Sequence, residues 1–144
     1  MRRKSWILEN GLSLAWAVAL TATVGSLYFS EVVGFIPCNL CWYQRILMYP
    51  LVLLLGIAAV RKDWNQTLYV LPMCVVGLSI SVYHYLLEKT TWFDTTHGNV
   101  CGIVPCDTLY INWFGFVTIP FLAGTAFIMI AVLSVMIRKA ARNL

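Results

Sequence analysis

The chain has 144 residues, of which 60% are hydrophobic and 11% are charged, and its mean hydropathy is +0.79. Soluble domains are about 45–50% apolar and about 25% charged, so this composition excludes an ordinary soluble fold. Disorder is excluded as well, because disordered chains combine low hydrophobicity with high charge. We therefore expect a single all-α membrane domain over residues 1–144.

Four long uncharged runs, of 21, 15, 24 and 30 residues, predict four membrane-spanning helices. Core helices of a soluble bundle would show a polar face, whereas residues 115–137 contain only Thr and Ser as polar residues. The basic start resembles a signal peptide, but its apolar stretch is too long and has no Ala-x-Ala site, which indicates an uncleaved first span. The predicted spans are about 12–29, 41–60, 68–87 and 114–137, with outer loops at about 30–40 and 88–113.

The basic residues predict the orientation of this four-helix transmembrane bundle. Eight of the ten lie in the two termini and in the loop after the second span, and only Arg45 and Lys89 lie elsewhere. Because short cytoplasmic loops are enriched in Lys and Arg, both termini are predicted to be cytoplasmic. The net charge of +4 thus reflects topology, and no nucleic-acid partner is expected.

Four of the five cysteines form two close pairs, and this topology places both pairs outside. Cys38 and Cys41 precede the second span in a Cys-x-x-Cys arrangement, and Cys101 and Cys106 lie in the 88–113 loop. The outside is the oxidising compartment, where disulfides persist. Cys74 lies within the third predicted span and is expected to pack as an apolar residue.

Two alternatives to redox chemistry remain open for these pairs. They could be structural disulfides, although a Cys-x-x-Cys loop is so short that closing it removes little chain entropy. Four thiolates could also bind zinc, but no knuckle glycine or basic cluster accompanies them, and we expect no metal. Short Cys-x-x-Cys pairs are more often redox centres, and we favour that interpretation.

The residues around the first pair favour a reactive thiolate. Pro37 is suited to the start of a helix, so Cys38 and Cys41 would lie in its first turn, where free N–H groups stabilise a thiolate. Arg45 follows Cys41 by four residues and shares its helix face. Such an arginine could merely snorkel to lipid head groups, but beside two cysteines it is expected to lower a thiol pKa.

Electrons released at this pair need an acceptor, and the sequence favours a membrane quinone. It contains no Cys-x-x-Cys-His haem motif, because Trp42 follows the pair, and no dinucleotide-binding glycine motif. A lipid-soluble carrier could reach the helix end directly. We predict that it contacts the side chains of Trp42, Tyr43, Ile46 and Met48, with His84 as a hydrogen-bond donor; a packing role for His84 remains equally open.

At this point the sequence resembles the DsbB family of disulfide bond formation proteins, over nearly the whole chain. The resemblance rests on four spans, on Cys-x-x-Cys-x-x-x-Arg at the second span, and on a second pair in the last loop. The short Cys-x4-Cys spacing is similar to the compact BdbC form found in Gram-positive bacteria. The stretch from Phe114 to Pro120 also resembles the family's Gly-and-Pro signature.

The resemblance implies a catalytic role for each paired cysteine. The thiol of a thioredoxin-fold oxidase would attack the disulfide at Cys101, and Cys106 would then engage Cys38. Cys41 would face the quinone, menaquinone or ubiquinone, with Arg45 polarising it. Only four residues separate the second pair, which leaves little slack for the link between the loops.

The implied function is a thiol:quinone oxidoreductase of the bacterial cytoplasmic membrane. It would reoxidise an extracytoplasmic DsbA-like partner, pass electrons to the quinone pool and so support disulfide formation in exported proteins. His84 matches a family histidine near the quinone more loosely. The alternative is a non-enzymatic four-span protein with two structural disulfides. A vitamin K epoxide reductase type is disfavoured, because there the two pairs occur in the reverse order.

Overall fold

The computed structural model describes residues 2–90 and 111–143, with side chains from Trp6 onward. Four α-helices make up nearly all of these residues: α1 (Arg2–Glu31), α2 (Asn39–Arg61), α3 (Thr67–Lys89) and α4 (Ile119–Arg142). A short 3₁₀ helix, Trp64–Gln66, joins α2 to α3. Each α-helix is long and apolar enough to cross a membrane. The all-α, four-helix class predicted from the sequence is confirmed, whereas the orientation of the termini stays a prediction.

The helices form a bundle in which each helix packs against two neighbours. Helix α1 contacts α2 and α4, and α3 contacts α2 and α4. The helices extend beyond the apolar segments used to predict the spans, and α4 begins only at Ile119. Pro120 occupies its first turn, where the missing N–H costs nothing, and residues before it form a turn with positive φ at Phe114 and Gly115.

The centre of the bundle is a core of aliphatic side chains around one aromatic ring. Phe127 of α4 is fully buried, and Cys74 lies in the same core, as expected for a packing residue. Gly77 of α3 allows this ring to approach, since a Cβ built there would lie 2.4 Å from the ring. Small residues permit such close helix contacts in membranes. Other core residues include Leu51, Leu55, Val70 and Ile130.

Two smaller clusters lie at the ends of the bundle. One joins α1, α2 and α4 near the chain termini and includes Leu8, Leu12 and Ile137. The other joins the start of α2 to the end of α3 and contains Cys38 and Leu87. The second cluster brings the Cys-x-x-Cys pair into contact with the last turns of α3.

Candidate active site at the start of helix α2

The first cysteine pair caps helix α2. Cys38 is the N-cap residue in an extended conformation, and its carbonyl oxygen accepts a hydrogen bond from the Trp42 backbone N–H. Cys41 is the third residue of the helix, so the two side chains lie on one face, one turn apart. Their sulfur atoms are 3.5 Å apart, whereas a disulfide bond measures about 2.05 Å. The structure therefore describes the dithiol.

A buried histidine of α3 lies against this pair. His84 is only 2% exposed, and its Nε2 atom lies 3.7 Å from the Sγ atom of Cys38. On the other side of the ring, Nδ1 lies 3.4 Å from Nε2 of Gln44, which is also buried. Glu88, one turn later on α3, places Oε1 3.9 Å from His84 Nε2. The cysteine pair is thus connected to a buried polar cluster.

The contacts around Cys38 lower the pKa of its thiol from 9.0 to about 4. The main cause is the Cys41 thiol, which donates a hydrogen bond to the ionised sulfur, and His84 contributes a second hydrogen bond and its charge. Burial acts in the opposite direction. In the dithiol, Cys38 is therefore the thiolate, which is the nucleophile and the leaving group of thiol–disulfide exchange.

The same three side chains have the spacing of metal ligands. The ligand atoms of Cys38, Cys41 and His84 all lie within 4.8 Å of one another. A closed structural zinc site uses four ligands, one more than this cluster supplies in the described part of the chain. The geometry also suits thiolate stabilisation, and we assign no metal to it.

A large cavity opens on the other side of the pair. It has a volume of about 580 Å³ and lies between α1, α2 and α4. Along α1 its wall runs from Ala17 to Ser30, a distance of about 20 Å at 1.5 Å per residue. The wall is mainly apolar, with Cys41, Gln44 and Arg45 among its polar members. One sulfur of the pair therefore faces a cleft large enough for an organic molecule.

Arg45 is held at this cavity by helix α1. Its guanidinium group donates hydrogen bonds to the Ser26 carbonyl oxygen, at 3.1 Å, and to the Ser30 hydroxyl. It also lies over the Trp42 ring, 5.4 Å from the ring centre, which is a favourable cation–π arrangement. The guanidinium is thus a fixed positive charge in the cavity wall that Cys41 also lines.

The structure separates the residues that the sequence analysis assigned to a quinone. Cys41, Arg45 and Met48 line the cavity, but His84 does not: it lies on the α3 side, against Cys38. Trp42 and Tyr43 are about half exposed, and neither lines the cavity. Both face outward because each residue of an α-helix is rotated by about 100° from the one before, and these two follow Cys41 by one and two residues.

The second cysteine pair, Cys101 and Cys106, lies outside the described residues. Sequence reasoning also passed over two members of the cluster, Gln44 and Glu88. A signal existed for each: Gln44 follows Cys41 by three residues, and Glu88 follows His84 by four, which are the spacings of neighbours on a helix face.

Comparison with known proteins finds a matching family model and relatives over most of the chain. The family model described as "Disulfide bond formation protein DsbB" matches residues 9–137. "Disulfide bond formation protein C" of Bacillus subtilis (strain 168) is 59% identical over 84% of this chain and 87% of its own length. "Probable disulfide formation protein C 1" of Bacillus anthracis is 56% identical over 91% of this chain and 94% of its own length. No solved structure gave a significant match.

Proposed function

The chain belongs to the DsbB family of membrane disulfide bond formation proteins, and on this premise we propose that it is a thiol:quinone oxidoreductase. It would reoxidise an extracytoplasmic dithiol oxidase with a thioredoxin fold and pass the electrons to a membrane quinone. Exported proteins would thereby gain their disulfides. The observation that carries this proposal is the position of Cys41 and Arg45 in the wall of one apolar cavity.

The cavity fits a quinone by size and by chemistry. Binding sites for small molecules measure about 300–1,000 Å³ and combine apolar walls with a few polar groups. Here the polar groups beside Cys41 are the Arg45 guanidinium and the Gln44 amide, which suit the carbonyl oxygens of a quinone head group. When bound, a quinone supplies the capacity to accept two electrons and two protons.

The cysteine pair would divide two tasks between its sulfurs. A thiolate from the loop pair, Cys106, would attack the Cys38 sulfur of the Cys38–Cys41 disulfide. The new bond joins Cys106 to Cys38, and Cys41 leaves as a thiolate at the cavity wall, where Arg45 stabilises its charge. That Cys106 thiolate would arise when a thiolate of the partner oxidase attacks Cys101: the new bond joins the partner to Cys101, and the Cys101–Cys106 bond breaks.

The placement of charges supports an active site on the extracytoplasmic face of the bacterial cytoplasmic membrane. Cys38 lies at the beginning of α2, and the basic residues Arg61 and Lys62 lie at the other end of that helix. Arg138, Lys139 and Arg142 likewise lie in the last turns of α4. By the bias of basic residues toward the cytoplasm, the cysteine end would face outward.

A reconstituted assay tests this function directly. The purified chain is placed in lipid nanodiscs with a reduced thioredoxin-fold oxidase, and menadione or a short-chain ubiquinone is added while its reduction is followed by absorbance. We expect quinone loss to match partner oxidation one to one. Cys41→Ser should abolish both, and Cys74→Ser, which removes a thiol from the core, should leave both intact.

Two results would count against the proposal. Partner oxidation that continues with Cys41→Ser would mean that electrons do not pass through this site. Two disulfides that resist mild reductant, in a chain without quinone-dependent activity, would instead favour the non-enzymatic four-span protein.

A further inference from the structure

In the part of the chain that the structure describes, the proposed electron transfer leaves one buried charged side chain without a role. The Glu88 side chain is only 5% exposed, in the last turns of α3. Glutamate is rarely buried to this degree unless it is paired, because removing a carboxylate from water is costly. A buried carboxylate a few ångströms from a reactive thiol therefore calls for a physical explanation.

The neighbours of Glu88 identify its partner. His84 lies one helical turn earlier, with its Nε2 atom 3.9 Å from Glu88 Oε1. The Thr118 hydroxyl, just before α4, faces the carboxylate as well, and Lys89 adds a nearby positive charge. Lys89 is exposed and bonds to the Gly115 carbonyl oxygen, so His84 is the buried partner.

His84 in turn is the group that touches the reactive sulfur. The same Nε2 atom lies 3.7 Å from Cys38 Sγ, and the opposite nitrogen faces Gln44. The Nε2 atom of His84 thus meets both the thiol and the carboxylate, and all three groups are enclosed by protein. Glu88 therefore contacts the same edge of the imidazole ring that faces Cys38.

We propose that Glu88 is a positioning residue for Cys38: its carboxylate holds the His84 ring against the Cys38 sulfur, so that the ring can hydrogen-bond the thiolate. The purpose of this arrangement rests on the proposed function. In the reduced pair Cys38 is already ionised. When the pair is reoxidised, the Cys38 thiolate would bond to the Cys41 sulfur as the Cys41 S–H bond breaks, and two electrons would pass to the quinone, which would take up the Cys41 proton and one proton from solvent.

Glu88 can affect the pKa of the Cys38 thiol in two ways, and the two effects have opposite directions. Acting alone, its negative charge repels a thiolate and raises the thiol pKa. Acting through His84, it holds in place the ring whose hydrogen bond to the thiolate lowers the pKa of the thiol. Among the residues that the structure describes, the other charged or titratable neighbours are Cys41 and Arg45 of α2 and Lys89 of α3, which Glu88→Gln leaves in place.

The test measures the pH at which Cys38 becomes reactive in the reduced full-length protein. Iodoacetamide alkylation is followed from pH 3 to 9, with each cysteine resolved by mass spectrometry. Glu88→Gln should move the Cys38 midpoint upward by roughly one pH unit. In a His84→Gln background the same substitution should leave the midpoint unchanged or lower it. Glu31→Gln, at the exposed end of α1, is the matched control and should move nothing.

A midpoint that falls, or does not move, with Glu88→Gln in the His84-containing protein would overturn the proposal. Glu88→Asp provides a second variant that keeps the carboxylate but draws it back, and it should give a smaller upward shift. If the Glu88→Gln protein fails to fold, the Glu88→Asp variant decides the question. A Cys38 midpoint that does not shift in Glu88→Asp would then count against the positioning role. Neither readout requires quinone or partner, so a failure of the oxidoreductase function is detected separately by the nanodisc assay.

Discussion

The Sγ atom of Cys38 lies 3.7 Å from Nε2 of His84, which follows it by 46 residues and belongs to a different helix. This contact gives the cysteine pair two chemically distinct sides. Cys38 faces the polar cluster on α3, while Cys41 lines the apolar cavity between α1, α2 and α4. A Cys38–Cys41 disulfide would therefore have a site for thiol exchange on the Cys38 side and a site for a lipid-soluble acceptor on the Cys41 side.

The first prediction concerns the pH dependence of Cys38. Because the Cys41 hydrogen bond and His84 lower the pKa of this thiol to about 4, the thiolate is present above that pH and is lost as the pH falls through it. Alkylation of Cys38 in the reduced protein should thus be nearly constant from pH 6 to 8 and decrease below pH 5. An unperturbed cysteine would still gain reactivity toward pH 8.5.

His84→Gln should move this profile toward that of an ordinary thiol. The substitution removes the second hydrogen bond and the positive charge that stabilise the thiolate, so the midpoint should rise by roughly one pH unit or more. Gln44 contacts only the far nitrogen of the ring, and Gln44→Ala should have the smaller effect. A profile that does not change with His84→Gln would show that the histidine is only a packing residue.

A third prediction concerns Arg45, whose guanidinium bonds to two groups of α1 at once. Arg45→Ala should raise the KM for quinone and lower kcat by on the order of tenfold each, since both the anchor and the charge beside Cys41 are lost. Arg45→Lys keeps the charge without the planar fork and should recover part of kcat. Arg61→Ala, in the last turn of the same helix, is the control.

Equal activity in Arg45→Ala and wild type would mean that this arginine serves only as an interfacial anchor. The measurement is steady-state quinone reduction in nanodiscs at several quinone concentrations. A change confined to thermal stability would lead to the same conclusion.

Much of the architecture could be predicted from hydropathy, because each helix must bury its backbone in lipid and therefore appears as an uncharged run. Pro37 and the position of Arg45 also predicted a helix that begins beside Cys38. The sequence did not predict which side of the bundle each residue faces. His84 was expected at the quinone, but which neighbour it meets depends on the rotation of α3 against α2, which a nearly all-apolar helix does not encode in its sequence.

Glu88 illustrates the same limit. As a charged residue at the end of an apolar run, it was assigned to the outer loop, yet it lies inside α3 with its side chain buried. Charge predicts where a span ends only when the charged group has no partner within the bundle. Here His84, one turn away, supplies that partner.

A fourth prediction tests the packing of α3 on α4. At Gly77, a new Cβ would lie 2.4 Å from the Phe127 ring, which is fully buried and cannot move aside freely. Gly77→Ala should therefore lower the free energy of unfolding by about 1–3 kcal/mol and reduce the melting temperature. Gly25→Ala, where a Cβ meets nothing within 4 Å, should leave the stability unchanged or raise it. A stable Gly77→Ala protein would contradict the close approach of these helices.

The last prediction uses Gly25 to test the cavity itself. Gly25 belongs to the α1 wall of the cavity, and because a Cβ there meets no atom within 4 Å, a larger side chain extends into the cavity without displacing the backbone. Gly25→Leu should raise the KM for quinone by roughly tenfold, a loss of about 1.4 kcal/mol in binding, while Cys38 keeps its alkylation profile. Gly25→Ala adds one methyl group and should change the KM far less. If Gly25→Leu reduces quinone as well as wild type does, the acceptor binds elsewhere, and the link between Cys41 and this cavity is broken.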